Sequence, residues 1–233
     1  MENRMEIMTP QGYEEGDKPK RMKMKKKRTS CERCGNCCSG GGPVLLKDDL
    51  ALFSSGVLSH ADVYTIRENE RVGSKENVYE SFLEMIKLRE AENGACSFYA
   101  GNGECRIYEK RPYQCRAYKC WSANEIDNPG AALAEEDILI GLEGNCITRK
   151  DFFAGIDLVM DVIKRHEEKC SYERLNAALE KASEGDEEAM DEVMDMFQYD
   201  ASIRPFLTEK FSIPQNALDL ILGRPLTETI RGF

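Results

Sequence analysis

The sequence of 233 residues lacks long apolar runs and is poor in histidine. Its longest apolar runs, such as residues 131–134 and 138–142, fall far short of the roughly 20 residues that a membrane span needs. The first thirty residues hold no apolar stretch typical of a secretory signal. These features predict no membrane partner and favour the reducing cytoplasm over export. Because the only histidines are His60 and His166, any metal site must depend mainly on thiolates.

Several catalytic motifs are missing as well. The chain contains no G-x-G-x-x-G, G-x-S-x-G or H-E-x-x-H pattern, so neither a hydrolase nor a nicotinamide dehydrogenase is predicted. The cysteine spacing of radical S-adenosylmethionine enzymes, with a first gap of three residues, is also absent. The sequence therefore assigns no reaction, and whether the protein is an enzyme stays open.

The net charge of -10 is unevenly distributed along the chain. Residues 1–30 hold nine Lys and Arg residues against five Asp and Glu residues, and they show no apolar periodicity. A block of like charge cannot pack into a core, so this segment is interpreted as a disordered basic tail. The remainder is strongly acidic, which argues against a nucleic-acid partner because binding phosphates requires a basic face.

After the tail, the sequence divides into a cysteine-rich part (31–146) and a helical part (147–233). Leu46, Leu50 and Phe53 predict a short amphipathic helix. The runs Leu83–Arg89 and Ala95–Tyr99 flank Asn93-Gly94 and predict a small β-hairpin. The predicted fold class is α+β, mostly α. A cysteine-rich N-terminal domain with a small β-hairpin, held together by bound metal, is followed by a helical C-terminal region.

The helical part is predicted from apolar residues that recur at spacings of three and four. Four stripes carry this pattern: Phe152, Ile156, Val159 and Ile163; Leu175, Ala178 and Leu179; Met190, Val193, Met194 and Phe197; and the run Ala217–Leu222. Gly223 and Pro225 are expected to end the last helix.

The chain contains ten cysteines, which in a reducing compartment indicate metal binding or redox chemistry rather than disulfides. Eight of them form three groups: Cys31, Cys34, Cys37 and Cys38; Cys96 and Cys105; and Cys115 and Cys120. A C-x2-C turn lets two sulfurs converge on one metal, and three cysteines at consecutive x2 spacing are typical of iron–sulfur proteins. The triplet therefore favours an iron–sulfur cluster over zinc.

The number of metal centres stays open at this point. Eight thiolates suffice for two four-thiolate sites, or for one cluster and four structural or redox cysteines. Adjacent side chains diverge, so Cys37 and Cys38 are expected to share one ion poorly. The glycines at 40–42 would let the backbone approach a cluster closely. The tyrosines nearby, among them Tyr108, are interpreted as the core of the small domain, with shielding of a cluster from solvent as the alternative.

The order and spacing of the motif resemble those of a known family. Cys31-x2-Cys34-x2-Cys37-Cys38, then Cys96, then Cys105-Arg-Ile-Tyr, then Arg111-Pro-x2-Cys115-Arg116-x3-Cys120 is similar to the CxxCxxCC cysteine cluster of the YkgJ-like proteins. The resemblance covers about residues 31–121. It implies a zinc- or iron-chelating domain, and one relative with such a cluster, flagellin lysine N-methylase, modifies protein lysines.

We therefore expect a metal-binding protein whose eight cysteines ligate an iron–sulfur centre or zinc, with a redox or electron-transfer role. Arg111 and Arg116 are expected to offset the negative charge of the thiolates at this cofactor. The alternatives are a structural zinc-binding protein and a protein-modifying enzyme related to the methylase, with another protein as substrate. Cys146 and Cys170 are interpreted as bystanders, that is, cysteines that do not bind the metal. Cys170 is expected to pack in the core beside His166.

Overall fold

The computed structural model of the protein describes residues 30–74, 77–118 and 145–230. The predicted basic tail, apart from Ser30, and the predicted ligand Cys120 lie outside these residues. Within the described ranges, no helix combines the length and the apolar character needed to cross a membrane.

Helices provide most of the regular structure, and the long ones follow residue 147, as predicted. The α-helices of the described residues are α1 (Asn36–Ser39), α2 (Leu50–Ser54), α3 (Tyr113–Ala117), α4 (Arg149–Phe153), α5 (Asp157–Lys169), α6 (Tyr172–Ser183), α7 (Glu187–Phe211), α8 (Gln215–Ile221) and α9 (Leu226–Thr229). Short 3-10 helices cover Lys47–Asp49, His60–Asp62 and Tyr108–Lys110. The amphipathic helix predicted around Leu50 and the predicted class, α+β and mostly α, are confirmed.

The strands in the described residues form three antiparallel pairs. They are β1 (Val63–Ile66) with β4 (Met85–Leu88), β2 (Arg71–Ser74) with β3 (Asn77–Glu80), and β5 (Tyr99–Gly101) with β6 (Glu104–Cys105). A small hairpin is therefore present, but it is built around Asn102-Gly103 and not around Asn93-Gly94 as predicted. The Asn93-Gly94 turn is flanked by a single β-bridge, between Glu90 and Cys96. Both edges of β4 are already occupied, one by β1 and the other by residues 43–45.

The apolar stripe from Phe152 to Ile163 is divided between two helices. Gly155 has φ +86°, a left-handed conformation that glycine tolerates and that ends α4 before α5 begins. Ile156 falls in this break and is 49% exposed, so its predicted place on the buried face is wrong.

Helix α7 buries a different face from the predicted one. Val193 is buried as expected, but Met190 and Met194 are about half exposed. The buried positions on this helix are Ala189, Val193, Met196, Asp200, Arg204 and Leu207. Two of them are charged, so a stripe defined by apolar residues alone could not identify this face.

The largest buried apolar cluster contains residues from both predicted parts of the chain. Leu45, Ile86 and Ile147 are fully buried at its centre, and Leu218 of α8 and Ile163 of α5 pack in the same cluster. The Leu45 N–H donates to the Ile86 carbonyl at 2.8 Å, and the Ile147 N–H donates to the Leu45 carbonyl at 3.0 Å. The two parts therefore share a core, and their division at residue 146 stays a prediction.

A buried polar network connects the helices to the end of β1. Arg67 donates to Nδ1 of His166 over 3.2 Å, which fixes the proton on Nε2, and this N–H donates to Asp200 at 2.8 Å. Arg204 binds the same carboxylate at 3.1 Å. Burial lowers the pKa of His166. The charge of Arg67 lowers it further, whereas the hydrogen bond to Asp200 raises it, and the net pKa lies below the usual value. His166 and Cys170 are 1% and 0% exposed, which confirms their predicted place in the core.

Candidate metal centre

One cavity of about 580 Å³ collects most of the predicted ligands. Its lining includes seven cysteines: Cys31, Cys34, Cys37, Cys38, Cys96, Cys105 and Cys115. The eighth predicted ligand, Cys120, lies outside the described residues. The folded chain thus brings together thiols from three groups that are far apart in the sequence.

The first cysteine group is shaped by α1 and by the glycine before it. Cys37 and Cys38 lie in α1, and Gly35 caps this helix with φ +82°. A Cβ atom at Gly35 would overlap the side chain of Tyr99, so this close approach requires glycine. Gly35 therefore fixes the turn that carries Cys34 and Cys37 against the β5–β6 hairpin.

Substitution of Gly35 by alanine should destabilise the protein more than the same change at Gly94. Both glycines have a left-handed conformation, φ +82° and +78°, but a Cβ at Gly94 would meet no atom within 4 Å. Gly94→Ala should cost about 1–2 kcal/mol from backbone strain alone. Gly35→Ala should cost more, because Tyr99 must also move. Urea unfolding of both variants measures the difference, and equal losses would contradict the proposed contact.

The thiols of Cys37 and Cys38 lie 4.0 Å apart. This distance is close to the separation of about 3.8 Å expected between two thiolates on a tetrahedral zinc ion, given zinc–sulfur bonds of about 2.3 Å. The two side chains therefore diverge less than their adjacency in the sequence suggested.

The remaining cysteines reach the cavity from separate elements. Cys105 ends β6, and Cys115 lies in the middle of α3. Cys96 is buried, and its N–H donates to the Cys38 carbonyl at 2.8 Å. This hydrogen bond joins the first cysteine group to the second.

Burial and repulsion from neighbouring thiols raise the pKa of Cys38 and Cys115 at the cavity. Burial raises the pKa of Cys115 to about 12, with further contributions from Cys96, Cys37, Cys38 and Cys105. Burial and the neighbouring thiols, Cys37 foremost, also raise the pKa of Cys38 to about 12. These charge effects indicate that the five thiols lie near one another, so a cation among them would relieve a shared repulsion.

The spacing of the donor atoms limits what the cavity can hold as it stands. Within the described residues, no three thiols, imidazoles or carboxylates converge closely enough to ligate one ion. Cys34 and Cys37 are exposed at the cavity, whereas Cys96 is buried. The thiols thus surround a space much larger than one ion, and a single-ion site would require them to move inwards.

Guanidinium groups stand beside the thiols. Arg33, Arg111 and Arg116 all line the cavity. The buried Nε of Arg111 has no hydrogen-bond partner, and no carboxylate among the described residues forms an ion pair with Arg111 or Arg116. Burial raises the pKa of the Asp49 carboxyl and the charge of Arg116 opposes this shift, so Arg116 interacts with this group beyond ion-pair distance. Arg111 and Arg116 thus both lie at the cysteine cavity, and their expected role at a cofactor stays a prediction.

Two cysteines lie elsewhere. Cys146 is 5% exposed and packs with Tyr64, Ile66 and Met85, and it does not line the cavity. Burial raises its pKa to about 11. Cys170 lies in a different apolar cluster among the C-terminal helices. These placements agree with their interpretation as bystanders.

Sequence reasoning missed one arginine at the cavity. Arg33 was not considered, although its position between Cys31 and Cys34 could have identified it. Tyr108 lines the cavity, which agrees with the alternative interpretation of this residue, a place beside the metal centre, and not with a place in the apolar core. The glycines at 40–42 line the cavity, and Gly42 also lies against β4, where a Cβ atom would overlap the Leu88 carbonyl.

Comparison with known families agrees with this arrangement. Residues 30–134, a little under half of the chain, match the family model CxxCxxCC, described as "Putative zinc- or iron-chelating domain". No curated protein and no solved structure is significantly similar to the chain. The resemblance based on cysteine spacing is thus confirmed, and binding of zinc or iron is supported.

Proposed function

Because residues 30–134 carry a CxxCxxCC domain, we propose that the cysteine cavity holds an iron–sulfur centre with a redox or electron-transfer role. The observation that carries this proposal is the collection of seven cysteines and three arginines around one cavity. Iron and zinc are both compatible with a thiolate donor set, so the choice between them depends on the shape of the site.

Two features support a cluster over a single zinc ion. A zinc ion needs four donors within about 2.3 Å, but no three donors of the described residues converge in this way. A cluster keeps its thiolates farther apart and needs the larger space that the cavity offers. The pair Cys37 and Cys38 is the contact that would suit zinc better.

The proposed ligands are drawn from the eight cysteines of the motif. Cys120 stays in the set because of its spacing from Cys115 in the family pattern. Arg111 and Arg116 would offset the negative charge of the thiolates and raise the reduction potential of the centre. The exposure of Cys34 and Cys37 would allow an electron-transfer partner to approach. Reduced thiols also require a reducing compartment, so we propose the cytoplasm.

Anaerobic purification followed by visible spectroscopy and metal analysis tests the proposal. We expect a brown protein that absorbs broadly near about 400 nm, with stoichiometric iron and acid-labile sulfide. A colourless protein with stoichiometric zinc would show that the centre is structural. The methylase alternative makes a separate prediction, namely binding of a methyl donor, which calorimetry would detect.

A further inference from the structure

The ring of Tyr108 contacts two guanidinium groups at the cysteine cavity. The central guanidinium carbon lies 3.8 Å from the ring centroid for Arg33 and 3.6 Å for Arg111. Two guanidinium groups this close to one ring centroid would overlap if they lay on the same face. Arg33 and Arg111 therefore lie on opposite faces of the Tyr108 ring. Each contact is a cation–π interaction with favourable geometry.

Arg33 links this stack to the first cysteine group. It stands between Cys31 and Cys34, with a left-handed backbone at φ +55° and an N–H that donates to the Cys31 sulfur at 3.4 Å. A Cβ atom at Gly103 would overlap the Arg33 carbonyl, so the backbone of Arg33 lies directly against the β5–β6 hairpin. The conformation of this C-x2-C turn therefore depends on where Arg33 is held.

Arg111 links the other face of the ring to the last cysteine group. It directly precedes Pro112, the residue that caps α3, and α3 carries Cys115. A single aromatic ring thus connects the turn of Cys31 and Cys34 to the helix of Cys115.

We infer that Tyr108 is a positioning residue, whose ring holds the Cys31–Cys34 turn and the Cys115 helix at the separation that metal binding requires. The inference rests on the proposed metal centre, and it adds that aromatic stacking, rather than the motif cysteines alone, sets the affinity. It predicts that a flat ring is needed at position 108 and that the tyrosine hydroxyl is not.

The test compares the rate at which metal-loaded variants release metal to a chelator. Tyr108→Leu should release metal roughly tenfold faster than wild type, the size expected for two lost cation–π contacts. Tyr108→Phe keeps the ring and should match wild type. Tyr113→Leu is the control, because Tyr113 is 44% exposed and its nearest guanidinium, that of Arg116, is 5.9 Å away. Equal release from Tyr108→Leu and wild type, or equal defects for the leucine and phenylalanine variants, would overturn the inference.

A second readout works without metal. In the metal-free protein, Cys31 of Tyr108→Leu should be alkylated several-fold faster than in wild type, as measured by mass spectrometry. Arg33→Gln removes one of the two cation–π contacts, together with an exposed ion pair of 3.8 Å to Glu109 that contributes little. The Arg33 side chain is 54% exposed, so this variant should fold and show a smaller increase of two- to fivefold. If wild type binds no metal, the proposed function is wrong, and the alkylation rates then test the positioning role of Tyr108 by themselves. Unchanged rates in both variants would overturn the positioning role.

Discussion

Replacing Cys115 by serine should remove most of the bound metal from the protein. Cys115 lines the cavity from α3, and its thiol interacts electrostatically with four other cysteines. A serine hydroxyl does not ionise near neutral pH, so it cannot take the place of a thiolate ligand. Loss of groups that merely support a ligand weakens metal binding by about 10- to 100-fold, so loss of a ligand should cost at least about 100-fold.

Cys146→Ser is the matched control for this substitution. Burial raises the pKa of both thiols, to about 12 at Cys115 and about 11 at Cys146, but only Cys115 lines the cavity. Burying a hydroxyl in place of a thiol should destabilise either variant by about 1–3 kcal/mol. A melting temperature would therefore not distinguish the two variants. Metal content per folded protein should distinguish them, and elemental analysis after gel filtration measures it.

Cys34→Ser extends the test to the exposed edge of the cavity. Cys34 is exposed, so serine should cost little stability there, and a loss of metal would report ligation alone. We expect Cys34→Ser to lose metal as Cys115→Ser does. Full metal content in Cys115→Ser, or an equal loss in Cys146→Ser, would show that the proposed division of the cysteines is wrong.

Local patterns predicted those parts of the protein that depend on local chemistry. The apolar spacing of Leu175 and Ala178 identified α6, because a helix that covers a core must repeat its buried residues every three or four positions. The cysteine spacing identified the first cysteine group of the cavity for the same reason, since C-x2-C is a local turn. Neither inference required knowledge of which distant segments meet.

Pairing over long distances could not be predicted in this way. Asn93-Gly94 and Asn102-Gly103 carry the same turn signal, yet only the second joins two paired strands. The difference arises because β4 pairs with β1 at one edge and with residues 43–45 at the other, and no feature near the first turn reveals this. The stack of Arg33 on Tyr108 is a similar case, because it joins residues from separate segments through charge and shape.

The second large effect is expected at Asp200, a residue that is 3% exposed and whose carboxylate is central to the buried polar network. Burial alone would raise the pKa of Asp200, but hydrogen bonds from His166 and Arg204 lower it to about 2, so the group is charged in the folded protein. Its second oxygen accepts the N–H of Leu226 at 3.0 Å, at the first residue of α9. Asp200 therefore joins α5, α7 and α9.

Asp200→Ala should lower the free energy of unfolding by about 3–5 kcal/mol, because it leaves buried donors and the charge of Arg204 without their main acceptor. Arg204 keeps a contact of 3.1 Å with Asp219, which limits the loss. Urea unfolding monitored by circular dichroism measures the change. Asp195→Ala, at an exposed position of the same helix, should shift stability by no more than about 0.5 kcal/mol.

Metal content separates this defect from a defect at the cysteines. Asp200 does not line the cysteine cavity, so the folded fraction of Asp200→Ala should hold as much metal as wild type. Cys34→Ser should show the opposite behaviour, with little loss of stability in the metal-free protein and a large loss of metal. If Asp200→Ala cost less than about 1 kcal/mol, the network would be no more than a set of weak surface-like ion pairs, despite the burial of His166, Asp200 and Arg204.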